Sequence, residues 1–377
     1  MTLRAPFPYF GGKSAAASFV WERFGDVRNY VEPFCGSLAA LLGRPHYPFE
    51  DGNRIETVND ADCFLSNFWR ALQNDPDAVA HHCDWPVNEA DLHARHLWLV
   101  NVGREHVERL RTDPEYFDAK IAGWWVWGCC QWIGSGWCHH PEWQQLPHLG
   151  DSGRGIHRPS QQRPHLGNSG RGIHRPSQKL PHLGNSGMGI HRPSQKLPHL
   201  GNSGRAATSS SGQFGYGDSQ AEPETSDLKN YLQTLAERLR RVRVCCGDWS
   251  RVCGPTPTVK QGLTGVFLDP PYADTATRKS DLYAVDSLSV AHSVREWCIE
   301  NGDDKRLRIC LAGYEGEHEM PSTWTCVPWK ARGGYGSQGD GESTNGRDNA
   351  HRERLWFSPH CIRLEGRTRQ KSLLEVV

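Results

Sequence analysis

The sequence predicts an α/β fold in which a parallel-type sheet is interrupted by an inserted second domain. Three observations predict it. Short apolar runs of strand length alternate with amphipathic helical segments through residues 1–75. The same alternation resumes at residue 226 and continues toward the carboxyl end. Between the two lies a stretch of different composition that ends in tandem repeats. Strands alternating with helices on both sides of an insert favour one sheet covered by helices rather than separate all-α and all-β units.

In chain order, Ser14 to Phe24 reads as a helix, Asn29 to Val31 as a strand and Ser37 to Leu42 as a helix. Ile55 to Val58 is a strand, and Ala61 to Gln73 carries apolar residues at helical spacing. Asn88 to Arg111 reads as one or two helices, and Pro114 opens another that passes through Ala119, Ala122 and Val126 toward Trp132. After the repeats Ser226 is placed to cap a helix whose Leu228, Leu232, Leu235, Leu239 and Val242 share one face. Val242–Cys246, Gly265–Leu268, Arg308–Leu311, Thr325–Pro328 and Leu355–Phe357 read as strands. Gly333 to Asn349, rich in Gly, Ser and Asn, reads as a mobile loop.

Charge and composition narrow the function classes. The 377 residues hold 43 Lys or Arg against 43 Asp or Glu, which argues against a histone-like basic protein and a disordered acidic one. No run approaches the roughly 18 apolar residues of a membrane span, and no secretory leader is recognisable. The 13 cysteines fall in apolar stretches, with neither a disulfide framework nor a CxxC pair, and read as reduced thiols of a cytoplasmic protein. The overall neutrality conceals an asymmetry. Residues 147–205 hold nine Lys or Arg and one acid, Asp151, so the remainder is net acidic. A basic insert on an acidic body suggests a nucleic-acid contact surface.

That basic segment is a tandem repeat of period 17, beginning at Pro147, Pro164 and Pro181 with a partial copy from Pro198. Each copy offers Leu and Ile as its only large apolar side chains, too little to order itself. One copy is expected to belong to a folded domain, and the others to loop into solvent. The histidines at repeated positions (His148, His157, His165, His174, His182, His191 and His199) are copied with the unit, so no metal site is expected of them. The cluster Trp124, Trp125, Trp127, Trp132, Trp137 and Trp143 is expected to fill a helical core rather than to stack on bases.

Five motifs stand out, four of them at strand ends. Asp269-Pro270-Pro271-Tyr272 follows the apolar run Gly265–Leu268. Its two prolines make a stiff turn without N–H donors, which leaves the Asp269 carboxylate and the Pro270 carbonyl as acceptors for an amino group. Tyr272 offers a flat face for a base. Tyr30-Val31-Glu32-Pro33-Phe34-Cys35-Gly36-Ser37 is a strand running into a glycine turn and a helix. Glu32 puts negative charge there, which suits a cationic or hydroxyl-bearing ligand better than a pyrophosphate. No GxGxxG stands between any of these strands and the helix that follows it, and no GxxxxGK[ST] pattern occurs. Tyr9-Phe10-Gly11-Gly12-Lys13 brings a backbone close to a neighbour before a lysine at a helix start. Asp60, in Asn59-Asp60-Ala61-Asp62, is placed to take ribose hydroxyls, and Asp248-Trp249 to hold an adenine ring.

Together and in this order, Gly-Gly-Lys, EPFCGS, NDAD, a basic insert, GDW and DPPY, the motifs resemble the Dam-like, alpha-group class of DNA adenine-N6 methyltransferases, in particular phage- or prophage-borne members. The resemblance covers about residues 6–75 and 226–360. It implies a Rossmann-like S-adenosylmethionine-dependent methyltransferase sheet with an inserted, mainly helical target-recognition domain. Residues 1–75 and 226–377 would form the catalytic domain and residues 76–225 the insert. By the same resemblance Tyr9, Gly11, Lys13, Glu32, Phe34, Cys35, Gly36, Asp60, Asp248 and Trp249 would bind S-adenosylmethionine. Asp269, Pro270, Pro271 and Tyr272 would receive an adenine flipped out of duplex DNA. No metal and no membrane partner are implied, and monomer and homodimer both stay open. Action on RNA or on cytosine N4, and an inactive DNA-binding protein, are the alternative readings. The repeats are not part of the family pattern.

Overall fold

The computed structural model describes residues 3–9, 13–45, 53–113, 115–132, 137–138, 225–271, 290–329 and 352–364, with four two-residue strands in the repeats. The chain is α/β. Among the described residues seven strands form one mixed sheet: β1 (Asn29–Glu32), β2 (Ile55–Asp60), β7 (Arg243–Cys246), β8 (Thr264–Leu268), β9 (Leu307–Tyr314), β10 (Thr325–Pro328) and β11 (Glu353–Phe357). Their spatial order is β10-β11-β9-β8-β1-β2-β7. Neighbours from β7 across to β9 pair in parallel, while β11 runs antiparallel to both β9 and β10. Counting the seven sheet strands in chain order, the first five therefore take the doubly wound order 3-2-1-4-5. One reversed strand is slotted between the fifth and the sixth.

Side chains alternate across the buried strands, as a sheet covered on both faces requires. Tyr30, Phe267, Cys310, Ala312, Leu355 and Phe357 join a core on one face. Val31, Val266, Leu268, Ile309, Leu311 and Trp356 join a second core on the other. The first face packs on α1 (Ala16–Phe24), α3 (Cys63–Asn74) and α8 (Thr225–Leu239), the second on α9 (Val290–Asn301). The helices α4 (Pro76–Cys83), α5 (Glu89–Trp98), α6 (Arg104–Glu108) and α7 (Ala119–Gln131) follow, with a π-type turn (Leu99–Gly103) joining α5 to α6. α4 and α7 pack on α3 and α8, so the first core continues into Val79, Leu92, Val126 and Trp127. Trp125, Trp127, Trp132 and Trp137 are buried in it, as expected of core aromatics; Trp124 is half-buried against its edge, and Trp143 lies outside the described residues.

A buried ion triad joins the first strands of the chain to α8. Arg238 of α8 makes two bonds to the Glu56 carboxylate, at 2.7 and 2.8 Å, and Arg44 makes one at 3.0 Å. The Arg44 guanidinium also lies over the Trp21 ring at 5.1 Å.

Several boundaries differ from the sequence expectation. α3 begins at Cys63, because the Asp62 side chain accepts from the Phe64 N–H and caps it. α7 begins at Ala119 behind an Asp118 cap, not at Pro114. α8 starts at Thr225, so Ser226 sits in its first turn instead of capping it. The helix expected over Ser37 to Leu42 is the single turn α2 (Ala39–Leu42). α4 and α9 were not anticipated. In the repeats, β3 (His148–Leu149) pairs antiparallel with β4 (Ile156–His157), and β5 (His182–Leu183) with β6 (Ile190–His191), one pair each in the first and third copies. The loop expected over Gly333 to Asn349 lies outside the described residues.

Candidate active site

In a doubly wound sheet the ligand crevice opens at the carboxyl ends of the strands, where the strand order reverses. Here that reversal falls between β1 and β8. One cleft opens there, and Tyr9, Lys13, Glu32, Phe34, Cys35, Gly36, Asp60, Asp248, Trp249, Asp269 and Pro271 all line it. The expected site residues thus converge from five separate segments. Pro270 is buried beside it; Gly11 and Tyr272 lie outside the described residues.

Glu32 closes β1 and is 2% exposed. The Tyr30 hydroxyl, on the same strand, donates to its Oε2 at 2.9 Å. Burial nevertheless pushes its pKa up to about 8; the bonds from Tyr30 and the Leu41 N–H pull the other way, and Asp269 and Glu56 add to the rise. Asp60 ends β2, and burial raises its pKa to about 7. Its Oδ1 accepts from the Asp62 N–H at 3.0 Å and its Oδ2 from the Gly36 N–H at 3.1 Å. Asp60 therefore organises both loops of the rim. Two carboxylates with raised pKa values, Glu32 buried and Asp60 half-buried, favour a partner that carries positive charge or donates hydrogen bonds.

The glycine turn after β1 has a direct cause. Gly36 has φ +44°, and a Cβ there would lie 2.7 Å from the Tyr9 ring. Glycine meets both demands at once. Trp69 fixes the turn from below, its indole N–H donating to the Gly36 carbonyl at 3.0 Å. Across the rim the Asn59 amide donates to the carbonyls of Pro33 and Gly247, at 3.0 and 2.9 Å, joining the loops after β1 and β7. Those loops place Phe34 and Trp249 face to face, 6.1 Å between centroids and 27° between planes. Asp248 is exposed, and its Oδ1 accepts from the Ser250 N–H at 2.9 Å, capping the turn Trp249–Val252.

At the other end of the cleft Lys13 is buried, with Nζ 3.1 Å from Asp269 Oδ1 and 3.7 Å from Glu353 Oε2. The ammonium also lies 5.4 Å from the centre of the Trp329 ring. Burial works against its charge, but the carboxylates of Asp269 and Glu353 outweigh that and hold its pKa above the ordinary lysine value. Lys13 is thereby committed to the Asp269 carboxylate at the end of β8.

Sequence reasoning passed over Glu353, Asn59 and Tyr30. Asn59 and Tyr30 stood inside quoted motifs without a role assigned. Glu353 lies on the reversed strand β11, more than 80 residues from Asp269. Its one sequence signal is an acid opening the apolar strand Glu353–Phe357. Among the described residues no group of acidic, His or Cys side chains is arranged to hold a metal ion. No described helix is long and apolar enough to cross a membrane. Comparison with family models and with curated proteins finds no match to this chain.

Proposed function

We propose that this chain is a site-specific DNA methyltransferase that transfers a methyl group from S-adenosylmethionine to N6 of an adenine flipped out of duplex DNA. The observation that carries this reading is the convergence of Asp269, Lys13, Glu32, Asp60 and Trp249 on one cleft at the reversal point of the sheet. The strand inserted antiparallel near the sheet edge departs from the dinucleotide-binding order 3-2-1-4-5-6, and the turn after β1 carries no GxGxxG.

The residues fit the cofactor. Glu32 and Asp60 supply acceptors and negative charge for its ammonium and ribose hydroxyls, and Phe34 and Trp249 supply flat faces for its adenine. When bound, it supplies an electrophilic methyl carbon on a sulfonium. The chain then has to hold an adenine amino group in line with that carbon. In this reading the Asp269 carboxylate and the Pro270 carbonyl accept the two amino hydrogens, so the nitrogen lone pair is less drawn into the ring. Tyr272 stacks on the flipped base. Lys13, braced by Glu353, keeps the Asp269 carboxylate oriented. The helical block and the basic repeats would meet the DNA, the repeats through phosphate contacts.

The test is methyl transfer by the purified full-length protein. Duplex DNA is incubated with S-adenosylmethionine labelled in its methyl group and digested to nucleosides. Label in N6-methyladenine, lost with Asp269→Ala, is the expected result. Label in a cytosine, or in RNA offered alongside but not in DNA, would overturn the reading.

A further inference from the structure

Cys63 opens α3 and Cys246 closes β7, and their sulfurs lie 3.5 Å apart. The fold sets this contact: Asp60 and Cys246 are partners in the β2–β7 ladder, and Cys63 follows Asp60 by one tight turn. Both side chains are partly open to solvent. Elsewhere Cys35, Cys83, Cys129, Cys130, Cys138, Cys253, Cys298, Cys310 and Cys361 are buried. The rim on either side is braced, by the Gly247 N–H bond to the Asp60 carbonyl at 3.0 Å and by Arg251 to the Cys246 carbonyl at 2.9 Å.

We propose that Cys63 and Cys246 are a redox-active pair that forms a reversible disulfide at the rim of the cleft, with a small peroxide as oxidant. A disulfide needs sulfurs about 2.05 Å apart, so side-chain rotation and a small backbone adjustment must close the remaining gap. The inference does not depend on the cofactor reading.

The pair is chemically asymmetric. The contact with the Cys63 thiol lowers the Cys246 pKa against the opposing effect of burial, and the Ser66 hydroxyl and the Arg111 guanidinium add to it. The same contact raises the Cys63 pKa. Cys246 is thus the thiolate and Cys63 the resolving thiol. The Cys246 sulfur attacks one peroxide oxygen; the O–O bond breaks, giving a sulfenic acid and hydroxide. The Cys63 sulfur then attacks the sulfenyl sulfur, the S–O bond breaks, and the departing hydroxide takes the Cys63 proton to leave as water. Two thiols lose two electrons to one peroxide, and an added dithiol restores them. The cysteines are 183 positions apart, so the bond would tie the whole insert into one closed loop.

The full-length protein is treated with stoichiometric hydrogen peroxide, its remaining thiols are alkylated, and its peptides are mapped by mass spectrometry without reduction. A Cys63–Cys246 cross-linked peptide that forms before other cysteines react, and that dithiothreitol abolishes, is expected. In Cys63→Ser the oxidation of Cys246 should stop at a sulfenic acid trapped by dimedone. Because the wild-type mapping stands by itself, a poorly folding variant leaves the test intact. Oxidation of the exposed Cys326 with Cys63 and Cys246 both still alkylated as thiols would overturn the proposal.

Discussion

The raised pKa of Glu32 makes ligand binding a proton-coupled event. With the group titrating at about 8, roughly one molecule in ten carries it ionised at pH 7 and roughly one in a hundred at pH 6. If only the ionised form accepts a cationic ligand, the apparent Kd is the intrinsic value divided by the ionised fraction. The affinity for S-adenosylmethionine should then weaken by about 100-fold from its plateau above pH 8 down to pH 6, with close to one proton released per binding event at pH 7. Asp60, with a pKa near 7, acts in the same direction. Titration calorimetry across pH 6–9, repeated in two buffers of different ionisation enthalpy, reads both quantities. Glu32→Gln controls for titration of the ligand itself, and should weaken binding while removing most of the pH dependence. Linkage fixes the sign for the free protein as well. Its folded state holds these protons to higher pH than the unfolded chain does, so stability should fall as pH rises from the ordinary carboxylate range to about 8. A wild-type Kd that stays within twofold from pH 6 to pH 9, with no proton release, would refute the reasoning.

Two further predictions rest on the packing and a third on the repeats. Arg238→Met leaves buried Glu56 with Arg44 alone and should cost about 3–5 kcal/mol in urea unfolding, while a loss below about 1 kcal/mol would contradict the role given to the triad. Gly36→Val drives a side chain into the Tyr9 ring at a positive φ and should cost about 1–3 kcal/mol of stability and most of the cofactor affinity, measured by unfolding and by calorimetry. Deleting residues 164–197 removes two whole repeats and five Lys or Arg. It should leave the melting temperature and methyl transfer largely intact, and should flatten the salt dependence of DNA binding if those residues meet phosphates.

The sequence made the inner strands and the cleft legible because both leave local marks. An apolar run of four or five residues closed by Asp, Glu, Gly or Pro marks a strand and its functional end together. The strand ends themselves were read short: β2 runs on through Asn59 and Asp60 and β9 through Tyr314, where hydrophobicity stops although pairing continues. Polar residues belong there because the crevice opens there. Glu353 was invisible for a different reason, since its contact with Lys13 is made by a strand that folds back from the far end of the chain. Asp248 shows the converse. Its position in the motif was right for the cleft, yet its carboxylate caps a turn through Ser250, so contact with a ligand would have to share that bond. The helix α4 escaped because its eight residues carry two adjacent histidines and only a short apolar face.

The most direct test of the central claim is modification-sensitive long-read sequencing of a plasmid carried with this gene in a host free of DNA methylation, beside an Asp269→Ala control. N6-methyladenine at one short recurring motif, absent from the control, is the predicted result. Unmodified adenine throughout, from a protein that is folded and binds S-adenosylmethionine, would contradict it.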